Sequence, residues 1–278
     1  MSKPVLVGVD GSEASLAAVT AAVREARLRG CGLRIVHAFI WPLMHVSVGP
    51  PKVGPAEGGL QHQAEGILED AQRRARTLDP EMDVAGEIVT GEALGVLVGR
   101  ARDACLVVVG SRGLGRFGAL LIGSVAVHLA AHAACPVLIT RGRPDPTGDV
   151  LVAVDGSERG AEAVEFAFAE ASVRRAGLTA LHAWHARTDR ADQEERVLAE
   201  ALAGRRERYP EVEVRTRLVE QHTRPALLGA SKEAQLLVVG ARGRGGFAGL
   251  LLGSTSQAVI QHAHCPVAVV RHPSPGVV

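Results

Sequence analysis

"VLVGVDGSE" at residues 5–13 returns as "VLVAVDGSE" at 150–158, and this recurrence decides how the chain is divided. "LRIVHAF" at 33–39 returns as "LTALHAW" at 178–184, again 145 positions on. Further along, the offset becomes 130: "GSRGLGRFGALLIGS" at 110–124 returns as "GARGRGGFAGLLLGS" at 240–254, and Cys135-Pro136 as Cys265-Pro266. The first copy therefore carries 15 extra residues, assigned to the Pro- and Gly-rich stretch 40–59, which reads as a loop. A period this long means two whole domains rather than a solenoid. They are expected at 1–141 and 150–278, joined by the linker "GRPDPTGD" at 142–149, where proline and glycine oppose regular structure.

Each copy alternates short aliphatic runs with longer amphipathic ones. In the first, strands are predicted at 4–9, 33–39, 83–89, 105–110 and 136–141, with helices at 13–29, 60–78, 92–102 and 124–133. Runs such as "CLVVVG" and "QLLVVG" have no polar face, so both sides of the sheet must be covered. Strand–helix alternation with right-handed crossovers then gives α/β domains, each a doubly wound, Rossmann-like sheet of five parallel strands. Ser12 and Ser157 stand at helix N-cap positions, each followed by Glu, and Gly30 and Gly177 come just after the first helix of each copy. The final strands, 136–141 and 266–271, are short, apolar and at an expected sheet edge. Pairing them about a pseudo-two-fold axis would cover both edges.

The 278 residues include 47% hydrophobic and 3% aromatic ones, so aliphatic layers form the core. With 31 basic against 30 acidic residues there is no charge excess of the kind that nucleic-acid or membrane-surface binders carry. No apolar run reaches the roughly 18 residues of a membrane span, and a candidate strand opens the chain where a signal peptide would stand. With no C-x-x-C pair among its four cysteines, the chain reads as a soluble cytoplasmic protein with reduced thiols.

Doubly wound sheets bind ligands beyond the carboxyl ends of their strands. Three repeated features fall there: Asp10 and Asp155 after strand one, His37-Ala38 and His182-Ala183 at the end of strand two, and the glycine loop after strand four. The loop reads Gly110-x2-Gly113-x9-Gly123-Ser124 and again Gly240-x2-Gly243-x9-Gly253-Ser254. Glycines let backbone N–H groups converge on an anion, and the final Gly-Ser opens a helix whose positive end suits phosphate. Arg112, Arg116, Arg242 and Arg244 add charge at the mouth. The bland alternative is a flexible turn with a glycine N-cap; equal spacing in both copies weighs against it. No Gly-Lys-Ser/Thr follows, so this is not a Walker loop, and Gly113-x-Gly115-x-x-Gly118 stands after the wrong strand for a dinucleotide fingerprint.

The loop, the "VxVDGS" start and the "CPV" final strand resemble the universal stress protein family, and two copies resemble its tandem actinobacterial members. The resemblance covers nearly the whole chain. It implies an ATP-binding regulatory protein with a site in each domain, Mg2+ as the companion ion, a regulatory protein partner and a homodimer. It implies that Asp10 and Asp155 contact the nucleoside or help organise a metal, and that Ala38 and Ala183 meet the adenine edge. Gly110 and Gly240 border the ribose, while Gly113, Gly123, Ser124 and Val125, with Gly243, Gly253, Ser254 and Thr255, hold phosphates. One departure concerns the second copy, where "EQHTRPA" at 220–226 replaces the glycine of "TGEA" at 90–93; His222 either crowds that pocket or is exposed.

No metal site is assigned: His128-x3-His132-x2-Cys135 has metal-like spacing, but only its last two residues recur in "QHAHC" at 261–265. Cys105 is expected in the core, His37 and His182 in structural roles, and 189–208 as one charged covering helix. No catalytic triad, H-E-x-x-H or Walker lysine is present. Three classes remain open: a nucleotide-binding regulator, a slow ATPase or other nucleotide-using enzyme, and a flavin or redox module. The regulator is preferred to an enzyme.

Overall fold

The computed structural model describes residues 2–39, 56–111, 113, 123–143, 145–185, 191–243 and 252–272. Its first half runs β1 (Val5–Val9), α1 (Glu13–Arg29), β2 (Leu33–Phe39), α2 (Ala56–Leu78), β3 (Val84–Thr90), α3 (Ala93–Arg100), β4 (Leu106–Gly110), α4 (Ser124–His132) and β5 (Val137–Thr140). The second runs β6 (Val150–Ala153), α5 (Glu158–Arg174), β7 (Leu178–Trp184), α6 (Ala191–Leu202), α7 (Arg205–Arg208), β8 (Val214–Glu220), α8 (Thr223–Ala230), β9 (Leu236–Gly240), α9 (Ser254–His262) and β10 (Val267–Val270).

Local chemistry accounts for the element ends. The Ser12 hydroxyl accepts the Ser15 N–H at 3.1 Å, and Ser157 does the same for Gly160, so both first helices start on a side-chain cap. Helix α1 stops at Gly30, left-handed at φ 60°. In the second half that conformation is taken by Arg175 at φ 50°, and Gly177 serves otherwise: a Cβ there would stand 2.6 Å from Asp149 Oδ1. The single helix expected over 189–208 is two, α6 and α7, because Gly204 turns left-handed at φ 71°. Helix α2 begins at Ala56, inside the stretch 40–59 that was expected as a loop; residues 40–55 lie outside the described ones.

Within each half every strand pair is parallel, in the orders β3-β2-β1-β4-β5 and β8-β7-β6-β9-β10. The halves meet through their last strands, which pair antiparallel with Ile139 opposite Val267, Leu138 opposite Ala268 and Val137 opposite Val269. The result is one ten-stranded sheet. Strand alternation splits the core into two faces. Val5, Val7, Ile35 and Val108 pack under α1, α2, α5 and α6. Leu6, Val36, Val107 and Val109 pack under α3, α4, α8 and α9. Ala18, Ala22 and Ala26 are wholly buried on α1, and such small side chains bring the helix close to the sheet.

Two polar features tie the halves together, one on each face. Where α1 meets α5, Arg29 pairs with both Glu25 and Glu170, and Arg174 pairs with the same two carboxylates, closing a ring of four charges. On the other face Arg141 Nε donates to Ala263 O at 2.7 Å and its Nη1 to Ile260 O, while Arg271 Nη1 donates to Ala133 O at 3.1 Å. Each arginine thereby supplies a cation to the negative end of a helix in the other half.

Candidate functional site

At the carboxyl end of β1 the chain must turn sharply into α1. Asp10 Oδ1 organises this turn by accepting the Ser12 N–H at 3.0 Å and its hydroxyl at 2.6 Å, with Gly11 at φ 85°. Asp155, Gly156 and Ser157 repeat it, at 3.0 and 2.8 Å and φ 67°. The other carboxylate oxygen faces the glycine loop. A Cβ on Gly113 would run into Asp10 Oδ2, and one on Gly243 into Asp155 Oδ2. Glycine is needed at both positions because the strand-one carboxylate and the strand-four loop touch.

The last loop glycine obeys a different rule. Gly253 precedes α9 at φ −64° and ψ 147°, a conformation open to any residue, and its N–H donates to Ala241 O at 2.9 Å. A Cβ there would meet nothing closer than 3.6 Å. Among the described residues neither backbone nor packing demands glycine, so the position leaves a cradle at the positive end of the helix. Gly123, at φ −56° before α4, donates its N–H to Ser111 O at 3.2 Å. The N-cap residue of each helix is a glycine, so no side chain at that position takes up the first free N–H groups. Gly240 is tighter: a Cβ would come within 3.1 Å of Arg242 O.

In the second half these parts surround a cleft of ≈ 420 Å³. Asp155, Ala183, Gly240, Arg242, Gly243, Gly253, Ser254 and Thr255 all line it. In the first half Asp10 and Gly113 are in place, Gly110 ends β4 beside Thr140, Ala38 pairs with Val89 in β2–β3, and Val125 packs in the first turn of α4. Arg112, Arg116 and Arg244 lie outside the described residues.

Ser256, Glu194 and His185 line the cleft without having been singled out in the sequence, and they bear on residues that were. Ser256 Oγ donates to Gly240 O at 2.7 Å and pins the end of β9, where the first copy has Ala126. His182 bonds Val154 O through Nδ1 at 2.7 Å and Glu194 Oε2 through Nε2 at 2.8 Å; among the described residues His37 makes the first of these alone, to Val9 O at 2.8 Å. His222 is exposed, and its ring stacks on His185 of the cleft wall with centroids 4.4 Å apart. For Ser256 the signal available in the sequence was a polar side chain standing where the first copy has Ala126.

Other candidate chemistry is quiet. His128 and His132 turn Nδ1 toward the carbonyls of Ser124 and His128, and among the described residues no group of three His, Cys, Asp or Glu is set to hold a metal. Burial pushes the thiol of Cys105 up to about 11 and those of Cys135 and Cys265 up to about 12, so none is a ready nucleophile. Among the described residues no helix is long and apolar enough to cross a membrane.

Fold and cleft together define a tandem α/β protein with a strand-end cleft built for a ligand. The sequence profile of the universal stress protein family matches residues 1–141 and 147–271, and the chain belongs to that family. It is 39% identical over 288 residues to a universal stress protein of Mycobacterium tuberculosis, covering 96% of each chain. It is 37% identical over 287 residues to one from Mycolicibacterium smegmatis, again covering 96% of each. A universal stress protein from Archaeoglobus fulgidus shares the fold with a TM-score of 0.76 at 21% identity, over 98% of this chain and 100% of that one.

Proposed function

We propose that the protein is an ATP-binding regulator that holds one nucleotide in each of two domains, 1–141 and 150–278, flanking the linker 142–149. The observation that carries this reading is the Gly253 cradle. A glycine that the protein's own atoms do not require stands at a helix N-terminus, in a cleft shared with Asp155 and Arg242. The first N–H groups of α9 have no earlier carbonyl in their own helix to bond and suit an anion. Arg242 adds charge; among the described residues it pairs with no carboxylate. ATP fits these groups. Gly243, Gly253, Ser254 and Thr255 would hold its phosphates, Gly240 the ribose and Ala183 the base, with Asp155 beside the nucleoside or an accompanying Mg2+. In the first domain Gly110, Arg112, Gly113, Gly123, Ser124, Val125, Ala38 and Asp10 take the same parts.

The nucleotide sets a surface that a regulatory protein partner reads, in a cytoplasmic homodimer. The sequence carries no catalytic triad motif and no Walker lysine, which favours binding over turnover. Calorimetric titration with ATP tests the reading on wild type, Gly123→Val, Gly253→Val and the double variant. The expected stoichiometries are about two, one, one and zero. Undiminished binding in a folded double variant would refute the loops as phosphate sites.

A further inference from the structure

Arg141 and Arg271 are one residue repeated, each following the last strand of its half. Arg271 reaches Ala133 O, just past the C-terminal end of α4, whose N-terminal residue is Ser124 of the first-domain loop. Arg141 reaches Ile260 O and Ala263 O at the end of α9, whose N-terminal residue is Ser254 of the second-domain loop. Each helix therefore has one end in a candidate phosphate site and the other on an arginine from the opposite domain.

Arg271 also stands beside a residue of the second site. The Ala241 N–H donates to Val270 O at 2.8 Å, so Arg242 and Arg271 leave adjacent strands together. Arg242 lines the cleft. Neither guanidinium pairs with a carboxylate among the described residues. Burial first, and then the neighbouring Arg242 charge, lower the pKa of Arg271 from its ordinary value. An anion between the two would relieve this repulsion. A guanidinium has five N–H donors, so Arg271 has donors left for a phosphate while Nη1 holds Ala133 O.

We infer that Arg271 couples the two nucleotide sites: phosphate bound beside Arg242 is shared with Arg271 and firms its hold on α4, so nucleotide in the second domain strengthens binding in the first. The coupling rests on the ATP reading above, and by linkage it is reciprocal.

Stepwise ATP association constants test it. In the wild type their product should exceed the product of the single-site constants, taken from Gly253→Val and Gly123→Val, by about fivefold or more. In an Arg271→Met background the two products should agree, with the stoichiometry still two. A purely structural role for Arg271 would weaken binding or folding without moving this ratio. If Arg271→Met fails to fold, Arg271→Lys replaces it; its single ammonium lacks the planar fork, and the same loss of coupling is expected. Two normal, independent sites in the wild type, or undiminished coupling in the arginine variants, would overturn the inference. A wild type that binds no ATP would overturn the reading beneath it as well.

Discussion

Replacing Glu170 by Gln removes one charge from the ring that joins α1 to α5. The four side chains are closely shut in: Glu25 is 5% exposed, Glu170 4%, Arg174 6% and Arg29 16%. Burial pushes the Glu170 carboxyl up, and Arg174 and Arg29 pull it back. The same surroundings hold Arg29 above its ordinary value: burial opposes the charge, and the pull of Glu170 and Glu25 outweighs it. With Gln at 170, two buried guanidiniums share one carboxylate. Removing one partner of a buried pair costs about 3–5 kcal/mol. At roughly 2–4 °C per kcal/mol for a chain of this size, the Tm should fall by about 6–20 °C. Differential scanning calorimetry reads this directly. Replacing all four residues by Met or Leu is the control, since a well-packed apolar patch is expected to match or exceed the wild type. A Glu170→Gln Tm within about 2 °C of wild type would refute the account of the ring as a mutually dependent buried set.

Further outcomes follow from the cleft and the thiols. Gly243→Ala drives a methyl into Asp155 Oδ2, so ATP should leave the second domain while the first still binds, read as a stoichiometry near one. Cys135 and Cys265 ionise near 8.5 when unfolded and are held up to about 12 when folded. Their contribution is complete below about pH 8.5 and is lost as pH rises through 12, so a melting series should fall over that window and Cys265→Ala should flatten it. Turnover under saturating Mg-ATP should lie far below the ~1–10³ s⁻¹ of ordinary enzymes; several per second, abolished by Asp10→Asn, would make the protein an ATPase.

Strands were legible where burial leaves only one solution. "CLVVVG" has no polar face, so a covered central strand was the one reading available, and β4 lies there. The join through β5 and β10 followed from the cost of exposed apolar edges. The break in 189–208 was hidden because its amphipathic pattern runs through Gly204, and only a backbone angle ends the helix. The ring was hidden differently. Glu25-Arg29 and Glu170-Arg174 stand at the i,i+4 spacing that solvated helix faces also carry, and only the packing of α1 on α5 buries them. Their clue was recurrence at the 145-residue offset, as Arg141 and Arg271 recur at 130. At the cleft, spacing located the loop glycines but not their separate reasons: collision at Gly243, open space at Gly253.

The antiparallel join between β5 and β10 has a directional consequence. All five strands of one half point one way and all five of the other point back, so their carboxyl ends lie on opposite rims of the sheet. The Asp10 turn of the first half and the Asp155 cleft of the second therefore look away from each other, like sockets at the two ends of a cable. Under the proposed function, a partner of ordinary size that docks over one nucleotide has no view of the other, and one chain can present two different messages to two different listeners. Gripping both at once takes a partner that wraps around the sheet, and chains that associate through both sockets grow into a row, whereas a pair closes through one socket alone.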